Sequence, residues 1–568
     1  MSLLHKLGLR TDPVIFSVSV ALTVLFVGAS IVFTAPVDAL FGTMSAWIIT
    51  NLGWFYILGV TTFLIFLVWI CFSRYGRLRL GRDQDRPEYS RLTWFAMLFA
   101  AGIGTILMFW GVAEPISHFA NPPQNNVEPQ SVPAAQQAMG YTLYHFGLHT
   151  WTIFCLPALC FAYFVYRRGL PMRVSSIFHP FLGDRIHGPL GRAIDILAVL
   201  GTVFGVAVSL GLGTLQINSG LTALFGVEFS KPVQVLLIAV TTALATTSVA
   251  LGLDRGIKRL SDLNIALAVG LLLFVLATGS TLYLVRGSIE MVGVYLNWLV
   301  PLAFWNDTFG DTGWQGDWTV FYWAWTITWA PFVGIFIARI SRGRTIREFV
   351  LGVLGLPTAF TLVWFSVFGL SAFDIELNGP GGLVQTVVVE EDIPGALFAF
   401  LDNFPFASVV SAVSVLIVII FFTTSADSAA LVVDMLSSRT QEGTTPVRQR
   451  VFWAVTSGVV AATLITATGR SGLDALSEVV TVIGLPFFAM GFLMMVALLR
   501  SLNDDTVPEA VHHLPTLRVH LPRRRMPRIP RIPRPADGEP APGSPRWIIP
   551  RPGGPGTERP GPERDHSE

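Results

Sequence analysis

The 568-residue chain is 52% hydrophobic and 13% charged, with a mean hydropathy of +0.59 and a formal net charge of +1. This composition excludes a soluble globular fold and places the chain among integral membrane proteins. Basic residues cluster in the gaps between apolar runs, a distribution that argues against a nucleic-acid partner.

His5, Lys6 and Arg10 precede the first apolar run, which is read as a span because many more follow, not as a cleaved signal. A hydrocarbon core about 30 Å thick needs roughly 20 apolar residues per helix. Twelve such runs stand out: 14–34, 53–73, 93–113, 141–165, 190–213, 233–252, 263–285, 317–338, 349–372, 407–437, 450–468 and 475–499. They predict an all-α integral membrane protein with twelve transmembrane helices. An N-terminal region over 1–92 holds two spans, a core occupies 93–499, and a tail fills 500–568. Cys71, Cys155 and Cys160 fall within or beside apolar runs and read as small buried residues.

Arginines alternate between the gaps. Arg74, Arg77, Arg79, Arg82, Arg86 and Arg91 follow the second run, whereas the gap from Glu114 to Gly140 has no basic residue except histidine. Arg167, Arg168 and Arg173 follow the fourth run, Arg339, Arg342, Arg344 and Arg347 the eighth, and Arg439, Arg448 and Arg450 the tenth. Positive residues near span ends are retained inside, so both termini are expected in the cytoplasm and the protein in the plasma membrane. Between the seventh and eighth runs, Gly287 to Val300 is short and mixed, which predicts an amphipathic interfacial helix over about 287–300. After Arg500 repeated prolines forbid a regular helix, so the Pro/Arg-rich tail is expected to be disordered.

Two segments carry polarity inside apolar runs. The third run, FAAGIGTILMFWGVAEP, has Gly102, Gly104 and Gly111 before Pro115. Gly102 and Gly104 cannot line one face; a local unwinding whose carbonyls hold an ion is one reading, and the ordinary frequency of glycine in membrane helices is the other. In the tenth run, Thr423, Thr424, Ser425, Asp427 and Ser428 concentrate oxygen atoms, which suit a hard cation. Hydroxyls bonding back to the preceding turn explain them equally well. His145 and His149 stand one turn apart, a metal-binding spacing, but no third ligand is evident and packing histidines are expected. If the third to seventh runs form one unit (about 93–285) and the eighth to twelfth another (about 317–499), the odd count inverts the second unit. Inverted repeats place a site at mid-membrane between their first helices.

The runs WAPFVGIFIARISRGRTIREF (329–349), MLFAAGIG (97–104), IDILAVLGTVFG (194–205), VSLGLGTLQI (208–217) and TTSADSA (423–429) closely resemble the betaine/choline/carnitine transporter family. The resemblance implies a LeuT-like 5+5 inverted repeat preceded by two extra helices, homotrimers, and transport of a small zwitterionic or quaternary-ammonium solute across the bilayer. An aromatic box is implied at Phe146, Trp151, Phe154 and Thr326, with Trp325 and Trp329 nearby, while Gly102 and Gly104 let the backbone approach the solute. A sodium ion is implied as the coupling ion, with no other cofactor. Its ligands would be carbonyls of Ala100, Ile103 and Phe421 and hydroxyls of Thr424 and Ser425. Ring faces attract a cation by about 0.5–2 kcal/mol without a buried carboxylate.

Departures from the family pattern bear on the solute. Betaine carriers generally have Trp at the positions of Phe146 and Thr326 and Tyr at that of Phe154, so Thr326 removes one wall of the box. Ile106 stands where choline carriers often have an aspartate, which disfavours choline. Thr202 remains at an implied second sodium site, but its partner position is Val206, so one sodium per cycle is expected. The reading is a sodium-coupled importer of a glycine-betaine-like solute. Its alternative is a carrier of the same fold for ectoine, proline, carnitine, choline or a sulfonium compound, proton-coupled or exchanging. An enzyme would need converging acids or histidines, which the sequence pattern does not supply.

Overall fold

The structure, a computed structural model, describes residues 10–99, 104–124, 126–251, 254–438, 446–466 and 472–505. These are helical throughout, joined by loops with two isolated bridges and no extended strand among the described residues. Helix is what hydrocarbon demands, because it satisfies backbone donors and acceptors within one segment.

The helices are α1 (Pro13–Val32), α2 (Thr34–Phe72), α3 (Arg91–Phe99), α4 (Gly104–Ala120), α5 (Val132–Phe146), α6 (Leu148–Phe161), α7 (Pro189–Phe225), α8 (Lys231–Leu251), α9 (Asp254–Thr278), α10 (Thr281–Phe304), α11 (Phe321–Ile340), α12 (Ile346–Asn378), α13 (Ala407–Ser437), α14 (Val447–Thr466) and α15 (Gly472–Asp504). Each of the twelve apolar runs coincides with helix, but several limits move. The second run belongs to a 39-residue helix, roughly 58 Å at 1.5 Å per residue and far longer than the hydrocarbon is thick. In the third run the described residues are helical as α3 and α4 on either side of 100–103, which lie outside the described residues, and α4 carries on beyond Glu114 and Pro115 to Ala120. The fourth breaks at Gly147 between α5 and α6 and ends in a π-helical stretch, Ala162–Arg167.

Among the described residues eleven helices are long and apolar enough to cross a membrane. The segment 287–300 expected as an interfacial helix belongs to α10, which is longer than the sequence suggested. It is a single 24-residue helix whose Leu284, Gly287, Met291 and Tyr295 form one buried stripe. Its exposed residues mix apolar Leu282, Ile289 and Leu296 with polar Arg286, Glu290 and Asn297, an amphipathic pattern. From residue 506 the tail lies outside the described residues.

Helices pair in a regular way. α7 packs along α13, α8 along α14, α6 along α11, and α4 along α12. Small residues make the approach possible: a Cβ on Gly213 of α7 would collide with the Phe422 ring of α13.

The arginine-bearing loops converge at one end of the bundle. Leu80 N donates to Arg344 O (2.8 Å), Gly343 N to Leu80 O (2.7 Å) and Ile346 N to Leu78 O (2.9 Å). Arg167 joins Asp83 (2.9 Å) and Asp505 (2.8 Å), and Arg173 donates to Ser438 O (2.6 Å). The centre of this end is Arg344, whose side chain is buried, with its guanidinium 4.0 Å over the Trp94 ring. It donates to Glu348 Oε1 (2.6 Å) and Tyr89 O (2.9 Å). Burial draws its pKa below the usual arginine value, opposed by Glu348. A buried charge is stable only while its partners stay. Arg344→Ala leaves Glu348 to its exposed partner Arg91 and removes the donors to Tyr89 O and Ser90 O; the expected loss is about 1–3 kcal/mol, read as a lower thermal unfolding midpoint in detergent. An unaltered midpoint would remove the clamp.

Candidate functional site

Two stripes of rings run along α11 and the π-helical turn Gly316–Val320 that feeds it. Residues four apart share a helical face, so Trp314, Trp318 and Tyr322 form one stripe and Phe321, Trp325 and Trp329 the other. The ring centroids of Trp314 and Trp318 lie 6.4 Å apart, those of Trp318 and Tyr322 6.2 Å, and those of Phe321 and Trp325 5.8 Å, stacked at 11°. Trp110 of α4 joins the stripes, 5.7 Å from Trp318, 6.4 Å from Phe321 and 5.4 Å from Tyr322. Trp323 faces elsewhere. It stacks on His149 at 6.2 Å and touches Tyr144 and His145, a packing role.

The inner rings are anchored on α7. Trp325 Nε1 donates to Ser209 Oγ (3.2 Å), and Trp329 Nε1 to Gly205 O (3.0 Å), an oxygen that also accepts from Ser209 Oγ (3.2 Å). Indole is large but carries an N–H that needs an acceptor when buried. The close approach depends on Gly205, because a Cβ there would stand 2.5 Å from Thr328 Oγ1 and 3.1 Å from Trp329 Cδ1.

The other implied box residues are also buried inside the protein. Phe146 ends α5, stacks on Phe365 of α12 at 4.6 Å and meets Tyr322 edge-on at 5.1 Å. Trp151 and Phe154 lie on α6 with rings 5.7 Å apart, and Thr326 is buried on α11. The break at Gly147 separates Phe146 from Trp151. Its freed backbone is met by Tyr295 of α10, whose hydroxyl accepts from Leu148 N at 2.8 Å.

Of the implied ion ligands, Ala100 and Ile103 lie outside the described residues, as does Gly102. Gly104 opens α4 against Phe421 of α13, whose ring fills the space a Cβ on Gly104 would need. The two polar segments are therefore neighbours. Thr424 Oγ1 donates to Ile420 O (2.8 Å) and lies 3.1 Å from Phe421 O, the back-bonding geometry the sequence left open, while Ser425 is partly buried one residue on. Asp427 Oδ1 lies 3.6 Å from Arg450 Nη2, which gives it a structural partner. At the second implied ion site, Thr202 Oγ1 donates to Ala198 O (2.8 Å).

Sequence reasoning missed three features. Asn264 of α9 is buried against α13; with its amide oriented to satisfy both atoms, it donates to Ile417 O and accepts from Phe421 N, each at 3.2 Å. Glu114, assigned to a loop, is fully buried within α4, accepting from Tyr322 OH (2.5 Å) and lying 2.7 Å from His145 Nδ1. An acid next to an apolar run should have marked a site; Pro115 disguised it as a helix end. The third feature is a cavity of about 780 Å³, bordered by Ser117 and His118 of α4, Ser219 of α7, Trp314, Trp318 and Asp474 of α15, at the end opposite the arginine loops.

Gly205→Val should separate α11 from α7, with an expected cost of about 1–3 kcal/mol in a thermal unfolding assay and a smaller one for Gly205→Ala. Equal stability of all three proteins would show that the contact does not set the spacing.

Residues 14–507 match the BCCT, or betaine/carnitine/choline family transporter, pattern. Among similar proteins, the ectoine/glycine betaine/proline transporter EctP of Corynebacterium glutamicum is 51% identical over 502 residues, covering 88% of this chain and 82% of the relative. The glycine betaine transporter of Acinetobacter baylyi is 43% identical, covering 89% and 76% of the two chains. The high-affinity choline transport protein of Escherichia coli K12 is 40% identical, covering 88% and 75%. Buried rings threading a multi-helix membrane bundle and a match over nearly the whole chain lead to one conclusion: the protein belongs to the betaine/carnitine/choline transporter family and is a transporter, not an enzyme.

Proposed function

We propose that the protein imports a zwitterionic compatible solute of the glycine betaine type, coupled to sodium, by alternating access. The observation that carries this reading is the pair of ring stripes on α11, one beginning at the cavity with Trp314 and Trp318 and the other carrying Trp325 and Trp329, joined through Trp110, Phe321 and Tyr322. The inner indoles hydrogen-bond to a hydroxyl and a backbone carbonyl, with no carboxylate among their hydrogen-bond partners. Ring faces meet the positive end of a zwitterion there, and the solute brings its own negative charge. Phe146, Trp151, Phe154 and Thr326 complete the box in this reading, and Gly102 and Gly104 admit the solute to the backbone.

The proposed architecture has twelve spans, with α3 to α9 and α11 to α15 as inverted repeats after two extra helices. Helix pairing supports it: third helix meets third (α7, α13), fourth meets fourth (α8, α14), and each repeat's first meets the other's second (α4 with α12, α11 with α6). A two-fold axis in the membrane plane requires such pairing. The arginine end would face the cytoplasm, with both termini there, and the cavity would open outward in the plasma membrane. Three chains would assemble as a homotrimer, as the resemblance implies. Sodium would be held by Ala100, Ile103 and Phe421 carbonyls with Thr424 and Ser425, supported by the contact of Gly104 with Phe421. Each ion entering gains about 2.3 kcal/mol per 100 mV.

A second reading, a wider range including ectoine and proline, is favoured by Thr326, which leaves the box one ring short, and by the name of the Corynebacterium relative. Ile106 on α4 offers no counter-ion for choline.

Proteoliposome uptake of betaine, carnitine, choline, ectoine and proline, with and without a sodium gradient, tests the proposal; uptake of none would end it. Thr326→Trp should raise kcat/KM for glycine betaine relative to proline by about 2–30-fold, the value of one ring face; an unchanged ratio would remove the box explanation. Thr424→Ala with Ser425→Ala should raise the sodium concentration for half-maximal uptake roughly tenfold or more, since two oxygen ligands are lost. Unaltered sodium dependence would place the ion elsewhere.

A further inference from the structure

Glu114, His118 and His145 have no part in the solute or sodium sites proposed above. Glu114 and His118 stand one turn apart on α4, and His145 projects from α5. All three are at most 1% exposed. Glu114 Oε1 lies 2.7 Å from His145 Nδ1 and 3.4 Å from His118 Nε2, the latter too poorly aligned for a hydrogen bond. One ligand atom from each residue lies within 4.8 Å of the other two.

Metal–ligand bonds of about 2.0–2.2 Å in tetrahedral geometry hold ligand atoms roughly 3.4 Å apart. The Glu114–His118 separation already has that value; the Glu114–His145 separation of 2.7 Å opens by about 0.7 Å, and the two histidine nitrogens, within 4.8 Å, close by at most about 1.4 Å. Outer partners prepare the donors. Thr319 Oγ1 lies 2.9 Å from His145 Nε2, so by accepting the Nε2–H it leaves the Nδ1 lone pair toward Glu114. Tyr322 OH occupies Glu114 Oε2 and leaves Oε1 inward. Such second contacts fix tautomer and orientation in metal sites.

Access and charge fit as well. His118 borders the cavity of about 780 Å³, whose wall also carries Glu390, Glu391, Asp392 and Asp474 and, among the described residues, neither Lys nor Arg. A cleft lined by one sign of charge concentrates the opposite ion. We propose that Glu114, His118 and His145 form a two-histidine, one-carboxylate site for a divalent transition-metal ion of the zinc type, with its fourth position toward the acidic cavity. An ion there bridges α4 to α5 and, through Thr319 and Tyr322, holds the start of α11, so it restrains the helices that transport must move.

The test uses the purified full-length protein in detergent, stripped with chelator and titrated with CoCl2, whose visible absorption reports low-coordinate nitrogen and oxygen ligation. One Co2+ per chain, displaced by Zn2+, is expected. His118→Ala should abolish the bands. Tyr322→Phe, which removes an outer hydrogen bond but no ligand, should weaken binding about 10–100-fold. Size-exclusion profiles of the variants establish that they fold, and ZnCl2 should raise the thermal midpoint of the parent but not of His118→Ala. Absent bands, or bands equally strong in His118→Ala, would overturn the site and show that a proton alone joins Glu114 to His145. The readout needs no solute, so it separates this proposal from the transport reading.

Discussion

Hydrocarbon offers the backbone no hydrogen-bond partner, and that constraint organises this molecule. Any interruption of a spanning helix must be enclosed by protein that supplies the missing partners. Gly147 is one such point, where Tyr295 comes from α10 to meet Leu148 N. Carbonyls in α4 receive side-chain donors as well: Trp364 of α12 donates to Leu107 O (3.1 Å) and Gln216 of α7 to Met108 O (2.7 Å). Helix α10 is therefore held at the break at Gly147, and α7 and α12 against the carbonyls of α4.

Tryptophan suits the space between these breaks because it joins a broad apolar body to one donor. Each buried indole of the inner stripe has its N–H committed, to Ser209 or to Gly205 O, which fixes the ring without a charge. One face of Trp325 is covered by the stacked ring of Phe321. Trp323 shows that abundance does not mean one role, since its ring packs on His149 and Tyr144 on the opposite side of the same helix.

Charge is divided between the two ends of the bundle. Arginines at one end are tied to carbonyls and acids of loops distant in sequence, with Arg344 buried among them. At the other end acids line a cavity, and a single carboxylate, Glu114, lies deeper between two histidines and a tyrosine. Burial of an acid is tolerable only with such partners, and here they come from three separate helices.

The apolar runs, and with them the all-helical membrane class, were legible in the sequence because bilayer thickness acts on each segment locally and independently. The specific motifs carried the family for the same reason: they are contiguous. Helix limits were less legible. Glu114 and Pro115 looked like an ending, yet neighbouring helices let α4 continue to Ala120; the segment 287–300 looked like a short helix, yet it is part of the longer Thr281–Phe304. Residue chemistry at 114, 118 and 145 was visible but not its convergence, and a third partner for His145 could not be found by counting along the chain. Sequence by itself determined which segments are apolar helices of membrane-crossing length and which family they belong to. Only the tertiary structure decided which ring faces which helix and which acid meets which histidine, because those pairings depend on packing between segments that no local periodicity encodes.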